Sequence, residues 1–134
     1  MSQDELLKRY TAGERSFSEF DLTAAKLSHT SLVQADLSRS NLSRASLNGA
    51  NLSKANLRQA NLHGADLCYA NLNDANLNDA DLTGAVLLKA NLAAAKFDSA
   101  DLRWAALTDA TPSDIDLSRA HLGRTILPGG YPSG

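Results

Sequence analysis

The sequence predicts an all-β solenoid with a short N-terminal capping α-helix, and three observations predict it. A five-residue phrase repeats from residue 17 to residue 127 without an insertion. Leu or Phe occupies the central position of every repeat except the one centred on Pro112. The residue two before the centre is most often Ala, and the residue just before the centre is most often Asn, Asp or Ser.

The first element is a capping helix within residues 1–14. Ser2 followed by Glu5 matches a capping box, in which each side chain satisfies a free backbone N–H of the other residue. Leu6 and Tyr10 fall at helical spacing on one face. Because so short a helix is marginal alone, we expect its apolar face to pack on the first coil of the repeats.

The five-residue period itself excludes a helix and a flat strand for the rest of the chain. In an α-helix, five residues turn by about 500°, so successive leucines would scatter around the axis. In a strand, alternate leucines would point to opposite faces. The period suits a chain that runs briefly extended and turns a corner every five residues, with Leu and Ala inward and the residue before each Leu outward.

The repeats from residue 35, ADLSR-SNLSR-ASLNG-ANLSK, resemble the pentapeptide-repeat family, whose consensus is A-[D/N]-L-x-x. The resemblance implies a right-handed quadrilateral β-helix with four repeats per coil, so that residues twenty apart stack in one column. Residues 15–129 would then make about five to six coils, and residues 130–134 would form a C-terminal tail. One predicted core ladder consists of Leu37, Leu57, Leu77, Phe97 and Leu117.

Residues that break the phrase mark the ends and a weak point of the coil. Arg15 is too polar and Phe20 too large for an interior site, so the first coil should be a modified end beneath the helix. Pro112 removes a core Leu, and that side of the coil should bulge or loosen. Beyond it, two alternatives remain for the tail, in which Tyr131 folds over the open end or the last five residues are disordered.

Composition argues against several functional classes. The net charge of −2 gives no reason to expect direct nucleic-acid binding. No apolar run approaches the roughly 20 residues that cross a bilayer, so we expect no membrane partner. The single cysteine suits a reducing compartment, and the N-terminus lacks a signal-peptide pattern, so we expect a cytoplasmic protein.

The apparent catalytic groups have a structural explanation. Asp81 and Asp101 share a column with His121, but this position is Asn or Asp through most of the array, where it supports the turn. His63 and Cys68 lie on adjacent sides without metal-ligand company or a nucleophile–base arrangement. We therefore expect no catalytic residue, metal or cofactor, and no enzymatic activity.

Exposed apolar residues cluster on the third side of the coil, and they are the candidate interface. Trp104 lies at one corner, where Gly84 leaves it room and Arg124 is placed to stack on it. Packing by the C-terminal tail and incidental drift remain alternatives to an interface. The candidate interface residues are Tyr69, Val86, Leu88, Trp104 and Ile126.

Two functional hypotheses follow. The first is a non-enzymatic interaction or scaffold module, a rod that presents side faces to a partner protein, or to a second copy through a side face or the C-terminal end. The second comes from the resemblance, because some family members mimic duplex DNA, bind DNA gyrase and modulate quinolone sensitivity. Residues 70–134 carry eight acids against five bases, which is weak for a duplex mimic. The sequence favours the first hypothesis.

Overall fold

The computed structural model describes residues 1–133, in which one α-helix precedes a regular coil. Helix α1 spans Gln3–Thr11. After it, isolated parallel bridges join residues twenty apart, from the pair Ser16–Asp36 to the pair Ala106–Ile126. Twenty residues contain four repeats, so each coil has four sides. Neighbouring coils are one strand spacing apart, about 4.8 Å, which makes the stack about 25 Å long.

We number the sides by their central residues. Side 1 is centred on residues 17, 37, 57, 77, 97 and 117, and side 2 on residues 22, 42, 62, 82, 102 and 122. Side 3 is centred on residues 27, 47, 67, 87, 107 and 127, and side 4 on residues 32, 52, 72, 92 and 112. The second residue after each centre lies at the corner that leads to the next side.

Hydrogen bonding within the repeat 41–45 explains the recurring phrase, because all five backbone N–H groups find an acceptor. The first, second and fourth donate to carbonyls of the coils below and above. The third donates to Oδ1 of Asn41 at 3.0 Å. The fifth donates to the carbonyl of Leu42 at 3.0 Å and closes a β-turn. Asn or Asp before the centre therefore satisfies the one N–H that no backbone carbonyl reaches.

The corners use the left-handed backbone region at their second residue. Every such residue from Glu19 to Asp109 has a positive φ, as a type II turn requires. Most of them are not glycine, although a non-glycine residue in this region costs roughly 1–2 kcal/mol. The stacked coils over-determine the turn, so the repeat tolerates Arg, Lys, Gln and Asp there.

Leucine and alanine fill the interior in layers. Leu37, Leu57 and Leu77 are completely buried, while Phe97 and Leu117 are 4% and 8% exposed. The small Ala two residues before each centre leaves room for leucines that enter from four sides. The slight exposure of Leu117 shows that the core opens toward the C-terminal end.

Helix α1 closes the N-terminal end of this core. Ser2 caps it by accepting the N–H of Glu5 at 3.2 Å. The reciprocal half of the predicted capping box is absent, because the Glu5 carboxylate pairs instead with Arg9, one turn later, at 3.2 Å. Leu6 is completely buried against the first coil. The expected packing of the helix is therefore present.

Polar contacts fix the helix to the modified first coil. The Tyr10 hydroxyl donates to the Val33 carbonyl at 2.8 Å. The guanidinium of Arg15 lies 3.7 Å from the centre of the Tyr10 ring. Phe20, the oversized residue of the first coil, packs on Phe17 with ring centres 6.2 Å apart. Arg15 thus contacts the helix, whereas Phe20 packs within the first coil.

The coil is interrupted next to Pro112, as the sequence predicts. On side 1, the bridge expected between Lys96 and Asp116 is missing from the otherwise continuous ladder of the described residues. The N–H of Ser99 bonds to the carbonyl of Arg119, one residue beyond the position used at the other corners. Losing a central Leu has therefore shifted the register of the last coil on this side.

The chain turns back on itself at the C-terminus. Ile126 and Pro132 form an antiparallel bridge, and the N–H of Ser133 donates to the Thr125 carbonyl at 2.7 Å. Tyr131 is 75% exposed. Residues 130–133 of the predicted tail 130–134 therefore fold back along the coil, joined to it by one isolated bridge, and residue 134 lies outside the described residues.

Candidate functional site

Side 3 and its two corners carry all five residues of the candidate interface, which we call the side-3 patch. Tyr69 and Trp104 lie at the two corners and are 61% and 62% exposed. Val86 lies between them and is 39% exposed. Leu88 and Ile126 are half-buried, and Ile126 lies in the Val86 column two coils further along. The structure therefore brings these residues onto one continuous surface.

At the side-3 patch the repeat lacks its turn-supporting side chain, as it also does in several other repeats, for example at Ser31. In the repeats that keep Asn or Asp at this position, its oxygen accepts the N–H two residues later at 2.9–3.1 Å. Val86 and Ala106 cannot accept this bond. Consequently the N–H groups of Leu88 and Thr108 have no hydrogen-bond acceptor within residues 1–133. The turns at Val86 and Ala106 therefore each lack one local hydrogen bond.

The four sides differ in how well they keep this acceptor. On side 2, Asn or Asp precedes the centre in five of six repeats, and only His121 departs from the pattern. On side 3, only Asp66 of the six corresponding residues is Asn or Asp. Side 3 is therefore the side whose sequence departs furthest from the needs of the coil.

Cations lie over both exposed aromatic rings. The Arg124 guanidinium carbon is 4.8 Å from the centre of the Trp104 ring, which confirms the predicted stacking. Nζ of Lys89 is 5.7 Å from the centre of the Tyr69 ring. Such pairs contribute roughly 0.5–1 kcal/mol at exposed sites. Each exposed ring is therefore stabilised by a cation from the next coil.

Cys68 lies beside the patch as a half-buried free thiol. Burial raises the pKa of this thiol, and hydrogen bonding with the Asp66 carboxylate and its negative charge raise it further. Asp66 also accepts the Cys68 N–H at 3.0 Å, in the usual turn-supporting role. Because the thiolate is the nucleophile, Cys68 is less reactive than an ordinary exposed cysteine.

The paired carboxylates on side 2 are engaged in local contacts. Bridges place Asp101 between Asp81 and His121, as the column arithmetic predicts. Both carboxylate oxygens of Asp101 accept from the Arg103 guanidinium, at 2.9 and 2.6 Å. This hydrogen bonding lowers the pKa of the Asp101 carboxyl. Asp101 is thus held ionised by Arg103.

A further polar chain on side 2 was missed by the sequence reasoning. The Thr83 hydroxyl donates to Oδ1 of Asp81 at 2.6 Å and lies 2.7 Å from Nδ1 of His63. Because the single hydroxyl proton goes to the carboxylate, Nδ1 of His63 must be the donor toward Thr83. His63 and Thr83 are twenty residues apart, so their shared column was the signal that could have revealed the pair.

Two kinds of feature are absent from residues 1–133. They contain no group of three or more His, Cys, Asp or Glu side chains placed to hold a metal ion. The same part of the chain contains no helix that is both long and apolar enough to cross a bilayer.

A comparison with known protein families agrees with the repeat pattern and the geometry of the coil. A family profile described as pentapeptide repeats matches eight copies, over residues 21–59, 45–84, 60–98 and 75–111. The chain belongs to the pentapeptide-repeat family. The matched range of this pentapeptide-repeat protein includes four of the five patch residues and leaves out α1 and the C-terminal tail.

Several solved pentapeptide-repeat proteins are similar to this one. HetL from Nostoc sp. strain PCC 7120, described as involved in heterocyst differentiation regulation, is 35% identical over 97% of this chain and 61% of its own, with a TM-score of 0.48. This chain therefore spans about three fifths of the length of HetL. The protein alr5209 of the same organism is 37% identical over 90% of this chain and 95% of its own, with a TM-score of 0.49.

A plant relative resembles the structure more closely. AT2G44920, from the thylakoid lumen of Arabidopsis thaliana, is 28% identical over 80% of this chain and 72% of its own, with a TM-score of 0.60. No curated protein sequence matches this chain. The similarity to AT2G44920 supports the repeat fold and assigns no role to the side-3 patch.

Proposed function

We propose that this protein is a non-enzymatic interaction module, a right-handed four-sided rod that binds a partner protein through the side-3 patch. The observation that carries the proposal is the replacement of turn-supporting acceptors by apolar side chains at Val86 and Ala106. A second copy of the chain, docking through this patch or through the C-terminal end, is among the partners that the proposal includes.

The energetics of Val86 support a role outside the isolated rod. A missing hydrogen bond at the turn forgoes about 0.5–1.5 kcal/mol. Full burial of a Val side chain contributes about 1.5–3 kcal/mol, but Val86 keeps 39% of its surface exposed in the free protein. The remaining gain is available only when another surface covers it. Trp104 and Tyr69, both well exposed, are residue types that dominate binding energy at interfaces.

The charge arrangement favours this module over a duplex mimic that binds gyrase. A mimic must present carboxylates at phosphate-like density, one charge per about 1.7 Å of axis. Here Asp79 pairs with Arg58 at 3.7 Å and Asp98 pairs with Arg119 at 3.6 Å. These arginines neutralise acids of the C-terminal half that a mimic would display.

We place the module in a reducing compartment, with the cytoplasm as the expected one. The support for this placement is the cysteine usage of the sequence, in which a single cysteine, Cys68, leaves no internal disulfide to form. The cytoplasmic fraction of the source cells is therefore the material in which to search for the partner.

The test is comparative affinity capture from that fraction with matched variants. The disrupting variant combines Trp104→Ala with Leu88→Ser, because Ala and Ser occupy the same positions in other repeats. The control is Gln59→Ala, at an exposed corner away from side 3. We expect at least one protein to be retained by the wild type and the control and lost with the double variant. Identical sets for all three proteins would refute the proposal.

A further inference from the structure

One corner column of the rod differs from the other three in charge. It separates side 2 from side 3 and carries cations without any acid, whereas each of the other three corner columns contains at least one Asp or Glu. The six residues of this column, in order along the rod, are Ala24, Arg44, Gly64, Gly84, Trp104 and Arg124.

Two consecutive glycines in this column leave a recess in the corner. Gly64 and Gly84 have no side chain; a Cβ placed on Gly64 would meet Cγ of Arg44 at 3.4 Å, and one placed on Gly84 would meet His63 at 3.9 Å. Arg44 bounds the recess at one end and Trp104 at the other, three coil spacings or about 14 Å apart along the rod. The floor is therefore the Arg44 stem beside Gly64 and half-buried backbone at Gly84.

The cations around the recess are available for an anionic ligand. Arg44 and Arg124 form no ion pair within residues 1–133. Arg103, the nearest other arginine, is committed to Asp101 through two hydrogen bonds. Charge complementarity therefore favours an acidic ligand. Trp104 and the neighbouring Val86 favour a ligand that also carries an apolar group.

We propose that this recess binds an extended acidic peptide segment of the partner protein. An apolar side chain packs on Trp104, and carboxylates pair with Arg44 and Arg124. These two arginines are four coil spacings apart, about 19 Å, which an extended chain spans in about six residues. This inference rests on the proposed function and adds the chemistry of the partner.

A peptide is favoured over a nucleic acid by the surroundings of the recess. This corner column offers only two unpaired cations, Arg44 and Arg124, about 19 Å apart, whereas nucleic-acid binding relies on neutralising closely spaced phosphates. The wall on the side-3 flank is apolar at Val86 and half-buried Ala106. Such a wall offers contacts to aliphatic side chains and none to phosphates or sugars.

The test is a selection from a random phage-displayed 12-residue peptide library on the protein, with counter-selection on Gly84→Gln. The substitution fills the recess without adding a charge and is compatible with the backbone, since Gln34 and Gln59 occupy equivalent corners at φ of 61° and 59°. Ala94→Gln, at another exposed corner with φ of 58°, is the matched control. Circular dichroism and thermal melting verify that both variants are folded.

We expect enriched peptides with an apolar residue flanked by Asp or Glu about six residues apart. Synthetic versions should change the fluorescence of Trp104, the only tryptophan. We expect at least tenfold weaker binding to Gly84→Gln and to Arg44→Glu, unchanged binding to Ala94→Gln, and weaker binding as salt rises. No enriched peptide, peptides without acidic enrichment, or equal affinity for Gly84→Gln would overturn the inference.

Two additional measurements separate the other occupants and the two proposals. Binding of a fluorescein-labelled oligothymidine that Gly84→Gln abolishes would assign the corner to nucleic acid. Dimers that Gly84→Gln abolishes in analytical ultracentrifugation would assign it to a second copy. Either result overturns the peptide inference. If capture of a partner depends on Trp104 and Leu88 while peptide selection fails, the proposed function stands and the acidic-peptide chemistry is wrong.

Discussion

The hydrogen-bond pattern of the repeat predicts that Ala106→Asn stabilises the protein. The introduced amide oxygen would accept the N–H of Thr108, which has no acceptor within residues 1–133. Equivalent bonds elsewhere measure 2.9–3.1 Å. One such bond contributes about 0.5–1.5 kcal/mol, and little apolar burial is lost because the half-buried Ala106 side chain is a single methyl group. We expect the free energy of unfolding to rise by about 1 kcal/mol.

The reverse substitution in a regular repeat should have the opposite effect. Asn76 accepts the N–H of Asn78 at 3.0 Å, so Asn76→Ala should lower the free energy of unfolding by about 1 kcal/mol. Such changes move a urea midpoint by roughly 0.5 M for an m-value of about 2 kcal/mol/M. Ala106→Val is the control at the same site, since Val offers no acceptor.

Urea unfolding followed by far-ultraviolet circular dichroism measures all three variants on the same scale. The reasoning is refuted if Ala106→Asn has a midpoint no higher than that of Ala106→Val, or if Asn76→Ala unfolds at the wild-type midpoint. A stabilised Ala106→Asn that also binds the captured partner less tightly would show directly that side 3 exchanges stability for binding.

Four further predictions concern the core, a corner, the thiol and gyrase. Leu57→Ala should lower the free energy of unfolding by about 3–5 kcal/mol in urea titrations, because Leu57 is completely buried in a mid-stack layer. Gly49→Ala should lower the urea midpoint, because Gly49 has a positive φ of 68° and an added Cβ would clash with the His29 ring. If the clash contributes, adding His29→Ala should restore part of the lost midpoint. No recovery would exclude the clash as a cause. Asp66→Asn should lower the pKa of the Cys68 thiol, because the negative charge of Asp66 raises that pKa. The pH profile of iodoacetamide alkylation should therefore shift to lower pH. An unchanged profile would exclude Asp66 as a cause of the raised pKa. Gyrase supercoiling, with or without quinolone, should be unchanged at micromolar protein, and inhibition or protection would revive the duplex-mimic hypothesis.

The sequence alone predicted the features that depend on period and residue size. A fixed period determines which residues share a column, so the ladder and the stacking of Arg124 on Trp104 follow from counting. Residue size predicted the modified first coil at Phe20. Loss of a central Leu predicted a bulge or loosening at Pro112, and the structure shows a missing bridge and a shifted hydrogen bond nearby. These inferences need the spacing and not the conformation of any side chain.

Features that depend on side-chain conformation were not predictable in this way. Glu5 has two possible partners, and it pairs with Arg9 rather than completing the capping box. The contact between Arg58 and Asp79 joins neighbouring columns on successive coils, so column counting does not find it. A repeat constrains the backbone strongly, whereas long polar side chains on its surface choose among several nearby partners of similar energy.

Side 3 is the side on which the sequence departs most from the repeat pattern. In a repeat protein each coil stabilises its neighbours, so a side chain that violates the local rule weakens the whole stack. Natural sequences tend to keep local and global preferences consistent, and violations concentrate where function requires them. Val86 forgoes the turn bond and still leaves much of its surface in water. A partner that covers Val86 together with Trp104, as we propose, would recover the apolar surface that the free protein leaves in water.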